Sequence, residues 1–270
     1  MPVDERLRAV IRGAWARGAA TYDLDIGHGA LTPRLHAYWL ALLRRLVGTE
    51  PLDVVDVGTG TGFLAVLLAE LGHRVRGFDL SPEMLAYARQ RAERAGVTVE
   101  FAEGEATALP LPENAVDLVA SRHVLWTMPE PHLAIVEWVR VTRPGGRVLW
   151  LDWLAPRDGA GQRVRERAST LVQRLQRAET PHEDHGYPEE AYAALPLRRV
   201  TSIDTIRGFL LGLGIADATL RPLPDLARLE RAELPLYRRI AETSGRYYAV
   251  FTVTEALKQR LATLRAAAPA

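Results

Sequence analysis

Short apolar runs and helical patterns alternate along the middle of the chain. Apolar or alternating residues predict five strands, at 52–57, 73–79, 97–104, 115–121 and 147–154. Apolar residues at helical spacing predict the helices between them, at 63–71, 82–95 and 131–142. Ser81 and Pro82 are typical of the start of the second helix, and Gly96 is typical of its end. Strands that alternate with helices of this length predict a parallel sheet covered on both faces.

After residue 156 this alternation is interrupted and then returns. Residues 161–179 are predicted to form a basic amphipathic helix, and the residues after them a loop. A helix at 203–213 and two strands, at 216–223 and 246–253, resume the pattern. We therefore expect an α/β fold with a Rossmann-like, seven-stranded, mostly parallel sheet. One globular domain would contain an N-terminal helical cap (1–45), a core (46–156), a lid inserted after strand five (157–200) and the C-terminal part of the sheet with a tail (201–270).

Composition limits the classes of function. The chain has 270 residues, of which 48% are hydrophobic, and its formal net charge is +1. This balance gives no strong field for nucleic acid or for a membrane surface, and neither partner is expected. No apolar run reaches the roughly 18 residues of a membrane span. The start of the chain carries two acids and no apolar stretch, unlike a secretory signal, so we expect a cytoplasmic protein.

Cysteine chemistry is excluded because the chain contains no cysteine. Because Lys258 is the single lysine, Schiff-base chemistry and a phosphate-binding loop lysine are effectively excluded. The stretch HEDH (182–185) offers nitrogen and oxygen ligands for a metal. A polar stretch between a proline and a glycine is more typical of a solvated loop, so no metal site is expected.

The stretch DVVDVGTGTGF (53–63) carries the strongest local signal. Its glycines, at 58, 60 and 62, follow the first predicted strand. A dinucleotide fingerprint needs its third glycine one residue later, where Phe63 stands. Asp56 would repel a pyrophosphate but suits a ligand that carries a positive charge. The loop therefore favours a cationic nucleoside over a nicotinamide or flavin dinucleotide.

Four stretches resemble, in order, the motifs of class I S-adenosylmethionine (SAM)-dependent methyltransferases that act on quinones and other small molecules. They are VVDVGTGTGFLA, GFDLSPEMLAYAR, EGEATALPLPENAVDLV and RPGGRVL, and the resemblance covers about residues 52–153 and, more loosely, 203–253. It implies SAM as the cofactor and transfer of its methyl group to a small-molecule acceptor by in-line displacement. The acceptor atom (O, N, C or S) stays open, as does a homodimer.

The resemblance also implies which residues hold SAM. Asp79, after the second strand, would accept both ribose hydroxyls. Leu80 and Met84 would pack on adenine, whose amino group would bind Glu105 and the backbone of Ala106. The remaining part of SAM would lie against the other implied residues, which are Tyr22, Asp56, Gly58, Thr59, Gly60, Gly62 and Ser121.

Two residues of that set have an expected partner: Asp56 would lie near the methionine ammonium and Tyr22 near its carboxylate. The stretch SRHVLWTMPEP (121–131) would border both this part of SAM and the acceptor. His123 would orient the acceptor or act as a base, since the reference pKa of histidine is about 6.5. His28, flanked by two glycines, would face the same pocket. A hydrogen-bonded core histidine and an exposed loop histidine are the respective alternatives.

Other functions are less well supported by the sequence. A chain that binds SAM without transferring its methyl group would serve as a regulatory or assembly partner. An NAD(P)-dependent oxidoreductase is disfavoured by the glycine spacing and by Asp56. A nucleic-acid methyltransferase is disfavoured because the charge is balanced and the sequence has no basic–aromatic patch.

Overall fold

The computed structural model describes residues 5–24, 28–29, 31–156, 159–176 and 189–267. The stretch at 182–185 lies outside these residues. The helices are α1 (Glu5–Tyr22), α2 (Pro33–Val47), α3 (Phe63–Glu70), α4 (Pro82–Ala95), α5 (Pro131–Val141), α6 (Ala160–Gln176), α7 (Glu189–Ala193), α8 (Ile203–Gly212), α9 (Pro224–Glu233), α10 (Leu236–Ala241) and α11 (Glu255–Ala267). Within the described ranges, no helix has the length and apolar character needed to cross a membrane.

The strands form one sheet in the order β3-β2-β1-β4-β5-β7-β6. Their bounds are β1 (Asp53–Val57), β2 (Arg74–Asp79), β3 (Glu100–Glu103), β4 (Val116–Arg122), β5 (Thr142–Leu154), β6 (Thr219–Pro222) and β7 (Gly245–Thr252). Strands β1 to β5 run parallel, and β7 lies antiparallel between β5 and β6. The predicted mostly parallel, seven-stranded α/β sheet is confirmed. The strand order reverses between β1 and β4, which leaves a crevice for ligands at their carboxyl ends.

Helices close both faces of this sheet. Trp138 of α5 and Trp150 of β5 are buried on one face, and Leu64 and Leu68 of α3 on the other. Burial of a large apolar side chain contributes about 1.5–3 kcal/mol relative to exposure in water. Packing on both faces therefore holds rigid the strand ends that border the crevice.

Helix α4 begins and ends where its sequence predicts. The Ser81 hydroxyl accepts a hydrogen bond from the Met84 N–H at 3.2 Å, and Pro82 occupies the first turn. Gly96 follows the helix with a φ of +68°, which a residue with a Cβ rarely adopts. The cap at Ser81 fixes how the chain leaves β2, and so places the residues between β2 and α4 at the crevice.

Two parts of the fold differ from the sequence prediction. Strand β5 begins at Thr142, before the RPGG turn, because Thr142 already pairs with Val116 and the intervening residues form an irregularity in the strand. Helices α7, α9, α10 and α11 are not evident in the sequence pattern. Helices α9 and α10 bury only three side chains, too few for a helical period to show: Leu226, Glu230 and Tyr237.

His73, which directly precedes β2, makes the stability of the fold depend on pH. The residue is 4% exposed, and burial lowers its pKa below the ordinary value of 6.5. The unfolded chain therefore takes up a proton that the folded protein resists, so stability is full above about pH 6.5 and falls below it. We expect the urea midpoint of wild type to drop between about pH 7.5 and about pH 5.5, and that of His73→Gln to drop less. His132→Gln, an exposed control, should behave like wild type. An equal drop in His73→Gln would contradict this assignment.

Candidate active site

A cavity opens at the carboxyl edge of the sheet, between α1 and the loops after β1, β2, β3 and β4. The carboxyl ends of parallel strands are the usual place for a small-molecule site in a sheet of this kind. The cavity surface contains nine residues that the sequence predicts for cofactor or catalysis: Tyr22, Gly58, Gly60, Asp79, Leu80, Met84, Glu105, Ala106 and His123. Apolar walls come from Ile11 and Trp15 of α1 and from Val124, Met128 and Pro129, which lie in the stretch 121–131 that the sequence predicts to border the acceptor.

The three glycines after β1 serve different contacts. Their φ angles are +65° at Gly58, +54° at Gly60 and +78° at Gly62. A Cβ at Gly58 would lie 2.2 Å from the Val124 side chain, and one at Gly62 would lie 3.0 Å from Ala88 of α4. A Cβ at Gly60 would meet no described atom within 4 Å. Gly60 thus exposes its backbone to a ligand, while Gly62 packs against α4 away from the cavity surface.

Asp79 ends β2 beside this loop. Its Oδ2 accepts a hydrogen bond from the Gly60 N–H at 2.8 Å, and its Oδ1 accepts one from the Ser81 N–H at 2.9 Å. Burial raises the pKa of Asp79 above its usual value. A carboxylate can accept about four hydrogen bonds, so acceptor capacity remains for hydroxyls of a ligand. Leu80 and Met84 add an apolar surface to the same cavity.

The loop after β3 presents a carboxylate to the cavity. Glu105 lines it, and the Glu105 Oε1 accepts a hydrogen bond from the Thr107 hydroxyl at 2.9 Å. The carbonyl of Ala106 accepts a hydrogen bond from the indole of Trp138 at 3.1 Å. Because Trp138 is buried in α5, this bond fixes the loop against the core.

Asp56, Thr59 and Ser121, which the sequence predicts as cofactor contacts, lie behind the cavity surface. Asp56 is 1% exposed, and its Oδ2 accepts hydrogen bonds from the Thr59 hydroxyl at 2.7 Å and the Ala65 N–H at 3.1 Å. Burial raises the pKa of Asp56 to about 7. The Ser121 hydroxyl donates to the Val57 carbonyl at 2.9 Å. The Asp56 carboxylate thus points into the loop and braces it, unlike the predicted contact with a ligand ammonium group.

His123 lines the cavity directly after β4 and is paired with a buried acid. Its Nδ1 lies 3.0 Å from Oδ1 of Asp152, which is 4% exposed. The same carboxylate accepts hydrogen bonds from the Trp150 indole at 3.0 Å and the Trp153 N–H at 2.9 Å. Burial raises the pKa of Asp152 to about 7. In the tautomer that directs the Nδ1 proton at an ionised Asp152, the lone pair would lie on Nε2, which could then accept a proton.

Strand register brings these two residues together. Arg122 of β4 pairs with Leu151 of β5, so the next residues of the two strands emerge side by side. His123 has a φ of +61°, a left-handed conformation that costs a residue with a Cβ about 1–3 kcal/mol. Asp152 is a functional candidate that the sequence prediction misses. Its signal is a lone acid in the apolar strand RVLWLDWL, and only the β4–β5 pairing connects that acid to His123.

Aromatic rings form one side of the cavity. Tyr22 lines it, and its ring stacks on His28 with 4.5 Å between centroids. Burial raises the pKa of Tyr22 to about 12, so its hydroxyl remains a donor. His28 is not part of the cavity surface and meets the ring of His123 edge to face at 6.1 Å. Trp15, which lines the cavity, packs edge to face on Trp126 at 6.4 Å.

Arg122 brings a positive charge to the cavity surface; it lies in the stretch predicted to border the cofactor and the acceptor, but the sequence gives it no role of its own. Its guanidinium carbon lies 4.0 Å from the ring centroid of Phe63 and 5.4 Å from that of Trp39. Its Nη1 donates to the carbonyl of His28 at 2.8 Å. Burial lowers the pKa of Arg122, so an anionic group of a ligand placed beside it would offset the lost hydration.

Comparison with known proteins identifies the family of the chain. A family model described as a methyltransferase domain matches residues 55–150. The demethylmenaquinone methyltransferase of Chlorobaculum tepidum is 30% identical over 168 residues, which cover 60% of this chain and 67% of that protein. The chain belongs to the class I SAM-dependent methyltransferases. A second demethylmenaquinone methyltransferase, from Thermus thermophilus, is 41% identical over 112 residues, 41% of this methyltransferase and 51% of the relative. The match thus spans about half the length of that relative.

Solved structures share the fold of this methyltransferase. Phosphoethanolamine N-methyltransferase 2 of Haemonchus contortus has a TM-score of 0.62 at 18% identity, covering 91% of this chain and 61% of that one. Geranyl diphosphate C-methyltransferase of Streptomyces coelicolor has a TM-score of 0.55 at 17% identity, covering 82% and 80%. At these identities the likeness concerns the fold alone.

Proposed function

We propose that this methyltransferase transfers the methyl group of SAM to a ring-bearing, largely apolar small molecule whose reacting position loses a proton. The observation that carries the proposal is that His123, paired with Asp152, lines the same cavity as Gly60 and Asp79. A candidate proton acceptor and the candidate nucleoside-binding residues therefore line the same cavity. The names of the relatives, which specify demethylmenaquinone, support a ring-bearing acceptor. A cytoplasmic location is part of this proposal.

SAM fits the cavity by the chemistry of its walls. The two oxygens of Asp79 match the ribose hydroxyls, and Leu80 and Met84 match the face of adenine. Glu105 offers an acceptor to the adenine amino group, and Arg122 offers a cation to the methionine carboxylate. When bound, SAM supplies an electrophilic methyl group on a sulfonium sulfur. These contacts stay proposals, as do those of Tyr22 and Ala106.

The residues of the chain would contribute positioning and proton removal. Positioning of two reactants can by itself lower the barrier by about 7–11 kcal/mol. A hydroxyl of the acceptor would give its proton to Nε2 of His123 as its electrons become available to the attacking oxygen. Where a ring carbon attacks instead, that carbon would afterwards lose its own hydrogen as a proton, and the oxygen would regain one. Asp152 would hold the ring and stabilise the imidazolium that results. We assign His28 to orienting Tyr22 and His123, because it lies behind the cavity surface.

The acceptor side of the cavity favours a flat apolar molecule. Ile11 and Trp15 of α1 face the same space as Val124 and Met128 after β4. Aromatic and aliphatic walls exclude water and stack on rings, and they strengthen the electrostatic contacts of His123 inside the cavity. A naphthohydroquinone matches both this shape and the proton that His123 would remove.

Two measurements test the proposal. Calorimetry should show binding of S-adenosylhomocysteine and no binding of NADH, because the glycine spacing departs from that of a dinucleotide fingerprint. Incubation with methyl-labelled SAM and a reduced naphthoquinone should place label in the organic extract, and heat-treated protein provides the control. Binding of S-adenosylhomocysteine without label transfer to naphthols, phenols or quinols would favour a non-catalytic SAM-binding protein instead.

A further inference from the structure

Helix α6 exposes an apolar stripe. Val164, Leu171 and Leu175 are 63%, 59% and 76% exposed. Their spacing of seven and four positions puts them on one face of the helix. Single exposed apolar residues are normal, but several on one helix face form a patch of the kind that marks an interaction site.

Arginines flank this stripe on both sides. Arg163, Arg167 and Arg174 lie along one flank, about a quarter turn away, and Arg165 lies at about the same angle on the other. All four are exposed. Glu166, the one acid of α6, lies on the side away from the stripe. An apolar stripe between arginines is the pattern of a helix that lies in the interface of an anionic membrane.

The opposite face of α6 fixes the helix to the protein. The Ser169 hydroxyl donates to the Tyr237 carbonyl of α10 at 2.6 Å. Gln162 donates from Nε2 to the Ala241 carbonyl at 3.1 Å, and its Oε1 accepts from the Thr243 hydroxyl at 2.8 Å. These bonds use the polar side of the helix, so the apolar stripe is held outward.

Helix α6 also lies at the edge of the sheet where the cavity opens. Strand β5 ends at Leu154 on the carboxyl edge, and α6 begins at Ala160. Helix α10, to which α6 is hydrogen-bonded, leads into Gly245, which pairs with Leu154 at the same edge. A surface bound by α6 would therefore lie on the side of the sheet where the cavity opens.

We propose that α6 docks this protein on the surface of an anionic lipid bilayer. The leucines enter the boundary between headgroups and acyl chains, and the arginines bind lipid phosphates. A second copy of the chain fits this face less well, because a two-fold interface would bring the arginines of both copies together. The proposal revises the expectation of no membrane partner: a net charge of +1 conceals four arginines concentrated on one helix.

Vesicle sedimentation tests the docking. The probe is phosphatidylcholine vesicles with about a quarter phosphatidylglycerol, at low salt. We expect wild type to bind them at least about tenfold more tightly than pure phosphatidylcholine. Arg167→Gln with Arg174→Gln should weaken binding about 25-fold, since each arginine near an anionic surface contributes about fivefold. Leu171→Ser with Leu175→Ser should weaken it at least about tenfold.

Matched controls distinguish an effect of the α6 surface on vesicle binding from an effect of net charge or of misfolding. Arg207→Gln with Arg221→Gln removes the same charge from exposed positions on α8 and β6 and should bind as wild type does. All variants should keep the wild-type melting temperature and affinity for S-adenosylhomocysteine, so the test does not depend on the proposed reaction. Equal binding to both kinds of vesicle, or an equal loss in the control, would overturn the proposal. So would a dimer, seen by light scattering, that Leu171→Ser with Leu175→Ser dissociates.

Discussion

Replacement of His123 with glutamine is expected to lower kcat about a thousandfold, because a positioned base contributes about 10²–10⁴-fold. Glutamine keeps a hydrogen-bonding group beside Asp152 but cannot take up a proton. The affinity for S-adenosylhomocysteine should change by less than about threefold, since the adenosine seat is untouched. Single-turnover kinetics at saturating SAM and acceptor measure the first quantity, and calorimetry measures the second.

Two further variants provide a control for the His123→Gln result and a test of the pairing with Asp152. His132→Gln, on the exposed side of α5, should keep the wild-type kcat. Asp152→Asn should lower kcat less and move the acidic limb of the pH–rate profile to lower pH, because no anion then favours the imidazolium. Burial raises the pKa of Asp152 to about 7, so the limb in wild type belongs to the pair rather than to one residue. A kcat for His123→Gln within a few-fold of wild type would exclude His123 as the base.

Asp79→Asn is expected to weaken S-adenosylhomocysteine binding about 10²–10³-fold. Two hydrogen bonds to a charged acceptor are affected, each worth about 1.5–3 kcal/mol. In the wild type the carboxylate accepts hydrogen bonds from the N–H groups of Gly60 and Ser81. The amide of asparagine would direct its own NH2 donor toward one of these N–H groups, which then loses its acceptor. Calorimetric titration of the purified variant measures the loss.

The choice of ligand and control makes this result specific to the ribose contact. Adenine lacks the ribose, so its affinity should be equal in wild type and Asp79→Asn. Glu103→Gln, at the exposed position paired with Asp79 across β2 and β3, should bind S-adenosylhomocysteine as wild type does. Asp79→Asn should melt somewhat earlier than wild type, because the N–H of Gly60 or Ser81 loses its acceptor; the comparison with adenine separates this general loss from the ribose contact. An equal loss of adenine affinity would mean that Asp79 supports the whole cavity rather than the ribose.

The strands and the cofactor loop could be predicted because both depend on short-range signals. Buried strands appear in the sequence as apolar runs. The positive φ of Gly60 requires a glycine, which is visible in the local sequence pattern. Helices α9 and α10 bury too few side chains to show a period. The domain bounds and the lid role of residues 157–200 stay predictions.

The missed site residues have a different cause. Asp152 becomes meaningful only through the pairing of β4 with β5, which lies outside any local window of sequence. The direction of the Asp56 carboxylate is likewise set by a partner, the Ala65 N–H at the start of α3. The sequence shows that an acid precedes the glycines, but a hydrogen bond from the backbone of the following helix determines where its carboxylate points.

The close approach of Gly58 to Val124 has a consequence for how the enzyme changes its preferences in evolution. The loop that would receive the donor and the residue next to His123 touch so tightly that no Cβ fits between them. Substitutions on that wall disturb donor binding and acceptor choice together. The opposite wall, built from Ile11 and Trp15 on α1, carries no such constraint from the glycine loop. New acceptors are therefore expected to be acquired through the cap helix, while the inner wall stays nearly unchanged.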